Sequence, residues 1–90
     1  MTQKYYVYIL LTERKTLYCG YTDNVEKRAA QHFCAKGAKY TKANKPIRVV
    51  YSKEFENKSQ AMKEEYRIKH KLSREQKILL IRELNPNFAI

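Results

Sequence analysis

The sequence predicts a small α/β domain of the α+β kind, a three-stranded sheet containing antiparallel strands and flanked by helices. Three observations predict it. Runs dense in Val, Ile, Leu and Tyr stand at 4–12, 17–22 and 47–55. Apolar residues recur at helical spacing after 23 and again after 57. Cap-forming and chain-breaking residues separate these segments. The 90 residues suit one domain spanning 1–90, with no internal repeat or low-complexity tract.

Taken in order, Lys4 to Thr12 reads as a strand without Gly or Pro. Glu13-Arg14-Lys15 turns the chain, and Leu17 to Thr22 returns as a second strand. Asp23 with Glu26 reads as a capping box opening a helix to about Cys34, whose stripe is Val25, Ala29 and Phe33. A basic connection with Gly37 and Pro46 as breakers leads to a third strand, Ile47 to Phe55. A second helix starts near Asn57 or Ser59 and reaches about Leu72. Ser73 with Gln76 opens a third helix to about Leu84, ended by Asn85-Pro86-Asn87. The predicted order is β-β-α-β-α-α. Leu10, Leu11, Ile47, Val49, Val50 and the run Ile78 to Ile81 are the expected core.

Composition narrows the function classes. At 43% apolar the chain can build a core, and no apolar run approaches the roughly 20 residues of a membrane span. No signal-peptide pattern opens it, and its two cysteines, Cys19 and Cys34, read as free thiols, so a reducing cytoplasm is the expected address. Nineteen Lys and Arg against nine Asp and Glu give a net charge of +10. On so small a body that field favours polyanions, nucleic acid first. Lys36, Lys39, Lys42, Lys45 and Arg48 recur every third residue, with Tyr40 and the Gly37 amide among them, as a candidate phosphate-binding loop. Five phosphates neutralised there would give log affinity a slope of about −4.5 against log salt.

One carboxylate is out of place. On a helical wheel with Ala61 at zero, Ile68 falls near −20°, Leu72 near +20° and Glu65 near +40°. Glu65 therefore lies inside the apolar stripe, whereas Glu64 is turned about 100° away. A carboxylate there needs a partner, either a structural cation or a metal. In the hairpin, a three-residue turn that sets Thr12 opposite Thr16 also sets Tyr8 opposite Gly20 and Leu10 opposite Tyr18. Tyr8 and Tyr18 then share a face, and Gly20 leaves open space beside Tyr8 for a substrate group. A one-residue slip would separate the two tyrosines. Arg28 and His32, four apart, point the same way from the first helix. Each feature alone also fits a plain structural role. A Cys–His hydrolase reading fails because Cys34 and His32, two apart on a helix, diverge by roughly 200°. Zinc chemistry from Cys19, Cys34, His32 and His70 lacks paired Cys spacing.

These residues resemble the GIY-YIG nuclease superfamily. The first motif reads Tyr6-Val7-Tyr8 and the second Tyr18-Cys19-Gly20. Asp23 to Arg28, His32, Gly37 to Thr41 and Glu65 follow in order, over nearly the whole chain. The likeness is strongest to small stand-alone bacterial members and extends to the nuclease modules of UvrC-type excinucleases. It implies a metal-dependent endonuclease acting on nucleic acid, DNA foremost, in repair or recombination. By this resemblance Tyr8 would be the general base, Tyr18 would position the phosphate or support that proton transfer, and Arg28 would stabilise phosphoryl charge. His32 would orient Tyr8 or accept its proton, Gly20 would permit close packing, and Glu65 would hold one Mg²⁺ or Mn²⁺. A phenol of pKa near ~10 is about 0.1% phenolate at pH 7, so such a base needs positive charge nearby. Tyr6 and Cys19 depart harmlessly from the motif. Ala89 stands where several members carry a late Asn, with Asn85 and Asn87 the nearest candidates to replace it. Weak, low-specificity or partner-dependent cutting is expected of so minimal a domain, with any protein partner left open. The alternative is a non-catalytic nucleic-acid-binding domain of the same fold.

Overall fold

The computed structural model describes residues 3–33 and 46–89, with His32 and Phe33 described by backbone alone. Its elements are β1 (Tyr5–Thr12), β2 (Leu17–Thr22), α1 (Val25–Phe33), β3 (Pro46–Phe55), α2 (Lys58–Lys71) and α3 (Arg74–Leu84). The three strands form one antiparallel sheet in the order β2-β1-β3. This is the α+β class and the element order that the sequence predicts.

The hairpin closes through Thr12, whose amide donates to the Thr16 carbonyl at 3.1 Å while the two hydroxyls lie 2.6 Å apart. Between them Lys15 adopts a left-handed φ of 62°, the conformation that a three-residue hairpin loop asks of its last residue. This turn fixes the register with Tyr8 opposite Gly20 and Leu10 opposite Tyr18. Every residue of β1 from Val7 to Thr12 is 8% exposed or less, because the strand has a neighbour on each side and helices over each face. Val7, Ile9, Leu11 and Cys19 join Ala61 and Ile68 of α2 and Ile81 of α3 in the main core. At roughly 1.5–3 kcal/mol for each large apolar side chain removed from water, that layer is the principal source of stability. The opposite face carries Tyr8 and Leu10 and meets α1, whose Ala29 is buried.

Strand β3 bulges. Ile9 faces Tyr51 and Leu10 faces Val49, so Val50 has no partner and turns into the core beside Tyr51. The Asn85 side-chain amide donates to the Val50 carbonyl at 2.7 Å. The tail is thereby tied to β3, with Phe88 buried and its carbonyl accepting from Arg82 Nε at 2.8 Å.

Three expectations need correction. Asn24 caps α1 in place of Asp23: the Thr22 hydroxyl accepts the Asn24 amide at 3.2 Å, and the Asn24 side chain accepts the Lys27 amide at 3.0 Å. This extra turn after β2 moves the cap by one, and Asp23 instead accepts from Gln3 Nε2 at 2.7 Å. Ile47 is 53% exposed because it begins an outer strand. Leu79 is 61% exposed, since a helix packed on one side cannot bury four consecutive residues. The predicted box of the last helix is present, with Ser73 and Gln76 bonded reciprocally, and of the two predicted starts of α2 it is Asn57 that caps it, accepting from the Gln60 amide. Among the described residues no helix is long and apolar enough to cross a membrane.

Candidate active site

The site grows from the hairpin register. Tyr8 on the central strand and Tyr18 on the outer strand β2 share the sheet face that meets α1, as the turn dictates. Gly20 is opposite Tyr8, and a Cβ built on it would lie 2.6 Å from the Tyr8 hydroxyl oxygen and 2.8 Å from Cζ. Real Cβ atoms do not approach so closely. The space beside Tyr8 is therefore not open for a substrate group, as the sequence suggests, but is taken by the tyrosine's own ring. Gly20 lets that ring lie down across β2.

Arg28 reaches the same point from α1. Its guanidinium is a hydrogen-bonding partner of the Tyr8 hydroxyl, and Nη1 also donates to Gln31 Oε1 at 3.1 Å. Tyr8 is only 2% exposed, and this burial pushes its pKa above the ordinary phenol value; the Arg28 hydrogen bond works against that rise, and the nearby Tyr18 adds to it. Burial wins, so Tyr8 rests as the neutral phenol. His32 belongs to α1 one turn beyond Arg28, and its side chain lies outside the described residues.

Helix α2 approaches the sheet from the other side. Glu64 and Glu65 diverge there as the wheel predicts. Glu64 turns toward β3, where Arg67 Nη2 donates to it at 3.0 Å; this guanidinium holds the Glu64 carboxyl below its ordinary pKa. Glu65 is half-buried on the side of β2, close enough to Cys19 for its charge to oppose ionisation of that thiol. Among the described residues no hydrogen bond or ion pair engages the Glu65 carboxylate. Four residues on, Lys69 places Nζ 6.0 Å from the centre of the Tyr18 ring. The Cys19 thiol itself is pushed up to about 12, chiefly by burial, which rules it out as a nucleophile at neutral pH.

Tyr8, Tyr18 and Arg28 are thus brought together, while Glu65 comes to the same outer strand from α2. Arg48 is not brought to them: it is exposed on β3, the opposite outer strand, beside Asn85, Asn87 and Phe88. Asn85 spends its amide on the bulge carbonyl, and Asn87 lines the same crevice as Arg48. Lys36, Lys39, Tyr40, Lys42 and Lys45 lie outside the described residues. Gln31 and Lys69 escaped the sequence reading. Their signal was spacing alone, three after Arg28 and four after Glu65.

A model described as the GIY-YIG catalytic domain matches residues 4–78. The chain belongs to the GIY-YIG family. It is 52% identical over 79 residues to the UPF0213 protein YsiG of Lactococcus lactis, covering 88% of this chain and 76% of that one. With a UPF0213 protein of Staphylococcus haemolyticus it shares 51% over 80 residues, covering 89% and 96% of the two. A solution NMR structure of a UPF0213 protein from Bacillus halodurans has a TM-score of 0.58 at 42% identity, covering 89% of this chain and 84% of that one. A second NMR structure, of a protein from E. faecalis, has a TM-score of 0.61 at 33% identity, covering 97% and 92%. The GIY-YIG domain suggests a nuclease-type function and nucleic acid as the partner.

Proposed function

We propose that this GIY-YIG protein is a metal-dependent endonuclease that hydrolyses phosphodiester bonds of nucleic acid, DNA above all, in repair or recombination. The observation that carries the reading is Glu65, a half-buried carboxylate with no partner among the described residues, facing the strand that bears Tyr18. A carboxylate in that setting is costly unless a cation completes it.

The residues present fit one Mg²⁺ or Mn²⁺. Among the described residues no three His, Cys, Asp or Glu side chains converge. Glu65 would be the protein's ligand, and Mg²⁺ is commonly held by one or two carboxylates with water and substrate phosphate. When bound, the ion would polarise the phosphate and steady the leaving oxygen. The chain's own residues do the rest. Tyr8 gives up its phenolic proton to His32 and, as the phenolate, takes the proton from the attacking water. Arg28 binds the phosphoryl oxygens with its planar fork and favours the phenolate of Tyr8. Tyr18 holds the phosphate from the edge of the sheet, and His32 receives or relays the proton.

A second reading, a nucleic-acid-binding domain without catalysis, is favoured by one feature: Tyr8 is 2% exposed and burial keeps it neutral. The two part on one experiment. The purified protein is incubated with supercoiled plasmid and branched DNAs in Mg²⁺, Mn²⁺ or EDTA, beside Tyr8→Phe and Glu65→Gln. The expected outcome is metal-dependent cutting that falls by about 10²–10⁴ in Tyr8→Phe and is lost in Glu65→Gln, with DNA binding kept in both. Binding without cutting by the wild type on every substrate gives the second reading the lead.

A further inference from the structure

We infer that Lys69 is a substrate-binding residue of this same site, its ammonium holding a nucleic-acid backbone phosphate next to the one that is cut. The inference rests on the nuclease reading and deepens it. A Glu followed four residues later by a Lys on a helix is the orientation that favours an ion pair. Here that pair is not made. On this helix Glu64 pairs with Arg67 on the β3 side, and Lys69 extends over the ring of Tyr18.

The result is a charge arrangement suited to a polyanion. Glu65 stays available beside β2, and an ammonium stands one helical turn away above the tyrosine that would hold the phosphate. Arg28 approaches from the other face of the sheet. A strand crossing the β2 edge would therefore meet a cation from α1 on one side and one from α2 on the other. Lys is the apt residue on this flank, because a mobile point charge follows a backbone without fixing its angle.

The test compares Lys69→Gln, Lys69→Arg and Lys63→Gln with the wild type. Lys63 is exposed on α2 and turned about 120° from Lys69, which makes it the control. Binding of a short fluorescent DNA duplex is followed by anisotropy through a KCl series in EDTA, with thermal melting in parallel. For Lys69→Gln the slope of log affinity against log salt becomes shallower by about 0.9, with binding about fivefold weaker, near the upper value for an exposed ion pair. Lys69→Arg keeps the wild-type slope and so does Lys63→Gln. An unchanged slope in Lys69→Gln, whether or not its melting point falls, overturns the inference and leaves Lys69 a packing contact for Tyr18. The nuclease reading fails separately, by a wild type that binds but does not cut. In that case a shallower slope in Lys69→Gln still assigns the phosphate contact.

Discussion

Tyr8 and Gly20 work as one unit, since the phenol ring rests where any other residue on β2 would place its Cβ. Gly20→Ala forces the ring off β2 or the strands apart. The overpacking costs about 1–3 kcal/mol, and the phenol also leaves the Arg28 hydrogen bond. The expected result is a lowered denaturation midpoint, with cutting reduced at temperatures where the variant is still folded. Full activity in a folded Gly20→Ala variant would show that the ring position does not matter. The shared face of Tyr8 and Tyr18 was legible only on the condition of a three-residue turn, which sets side-chain parity along both strands and which the structure supplies. The filling of the space over Gly20 was not, because pattern places a ring on a face without saying how it lies. Glu65 was legible because a wheel detects a charge inside an apolar stripe. Lys69 was not, because a lysine on a helix flank is what solvated helices ordinarily show.

Elements in this chain are specified by their ends. The register of the hairpin depends on the Glu13-Arg14-Lys15 turn, where Lys15 holds a φ of 62°. Left-handed backbone costs a residue with a Cβ about 1–2 kcal/mol. Lys15→Gly relieves this strain against its own greater unfolded-state entropy, for a net gain of roughly 0.5–1 kcal/mol. The melting temperature should rise by several degrees, and cutting should not change, because glycine keeps the same turn and so the same hairpin register. A lower melting temperature would mean that the lysine side chain stabilises the turn by another route. Ser73 and Gln76 were readable as a cap because the polar residue comes directly before the helical pattern, whereas the sequence leaves the start of α2 open between Asn57 and Ser59. The start of α1 was misplaced by one, since Asp23 and Asn24 are both competent caps and the choice was made by the Thr22 hydroxyl. The bulge at Val50 left no mark in the sequence, and neither did the Asn85 amide that satisfies it. Both depend on a contact across 35 residues.

At the scale of the molecule, burial of titratable groups in and beside the sheet sets an alkaline limit. Cys19, pushed up to about 12 from 9.0, is neutral when folded and ionises in the unfolded chain from about pH 9. Its contribution is full below about pH 9 and is lost as pH rises through about 12. Tyr8 and Tyr51, both raised chiefly by burial, act in the same direction. Denaturant midpoints should therefore fall steadily above about pH 9, and less steeply in Cys19→Ala, whose cavity lowers stability at every pH. An equal slope in the two proteins would mean that the thiol does not report the burial seen here. The central position of β1 has one more consequence, in how the backbone moves. Its amides point only at partner strands, so in a deuterium-exchange experiment they should be the last to exchange, by opening of the whole molecule. The outer strand β2 has no partner on its other edge among the described residues and should exchange by smaller openings. Tyr8 would then ride on the most persistent segment of the chain while Tyr18 rides on a yielding one, a stiff anchor for proton transfer beside a rim that can give as a strand enters and leaves.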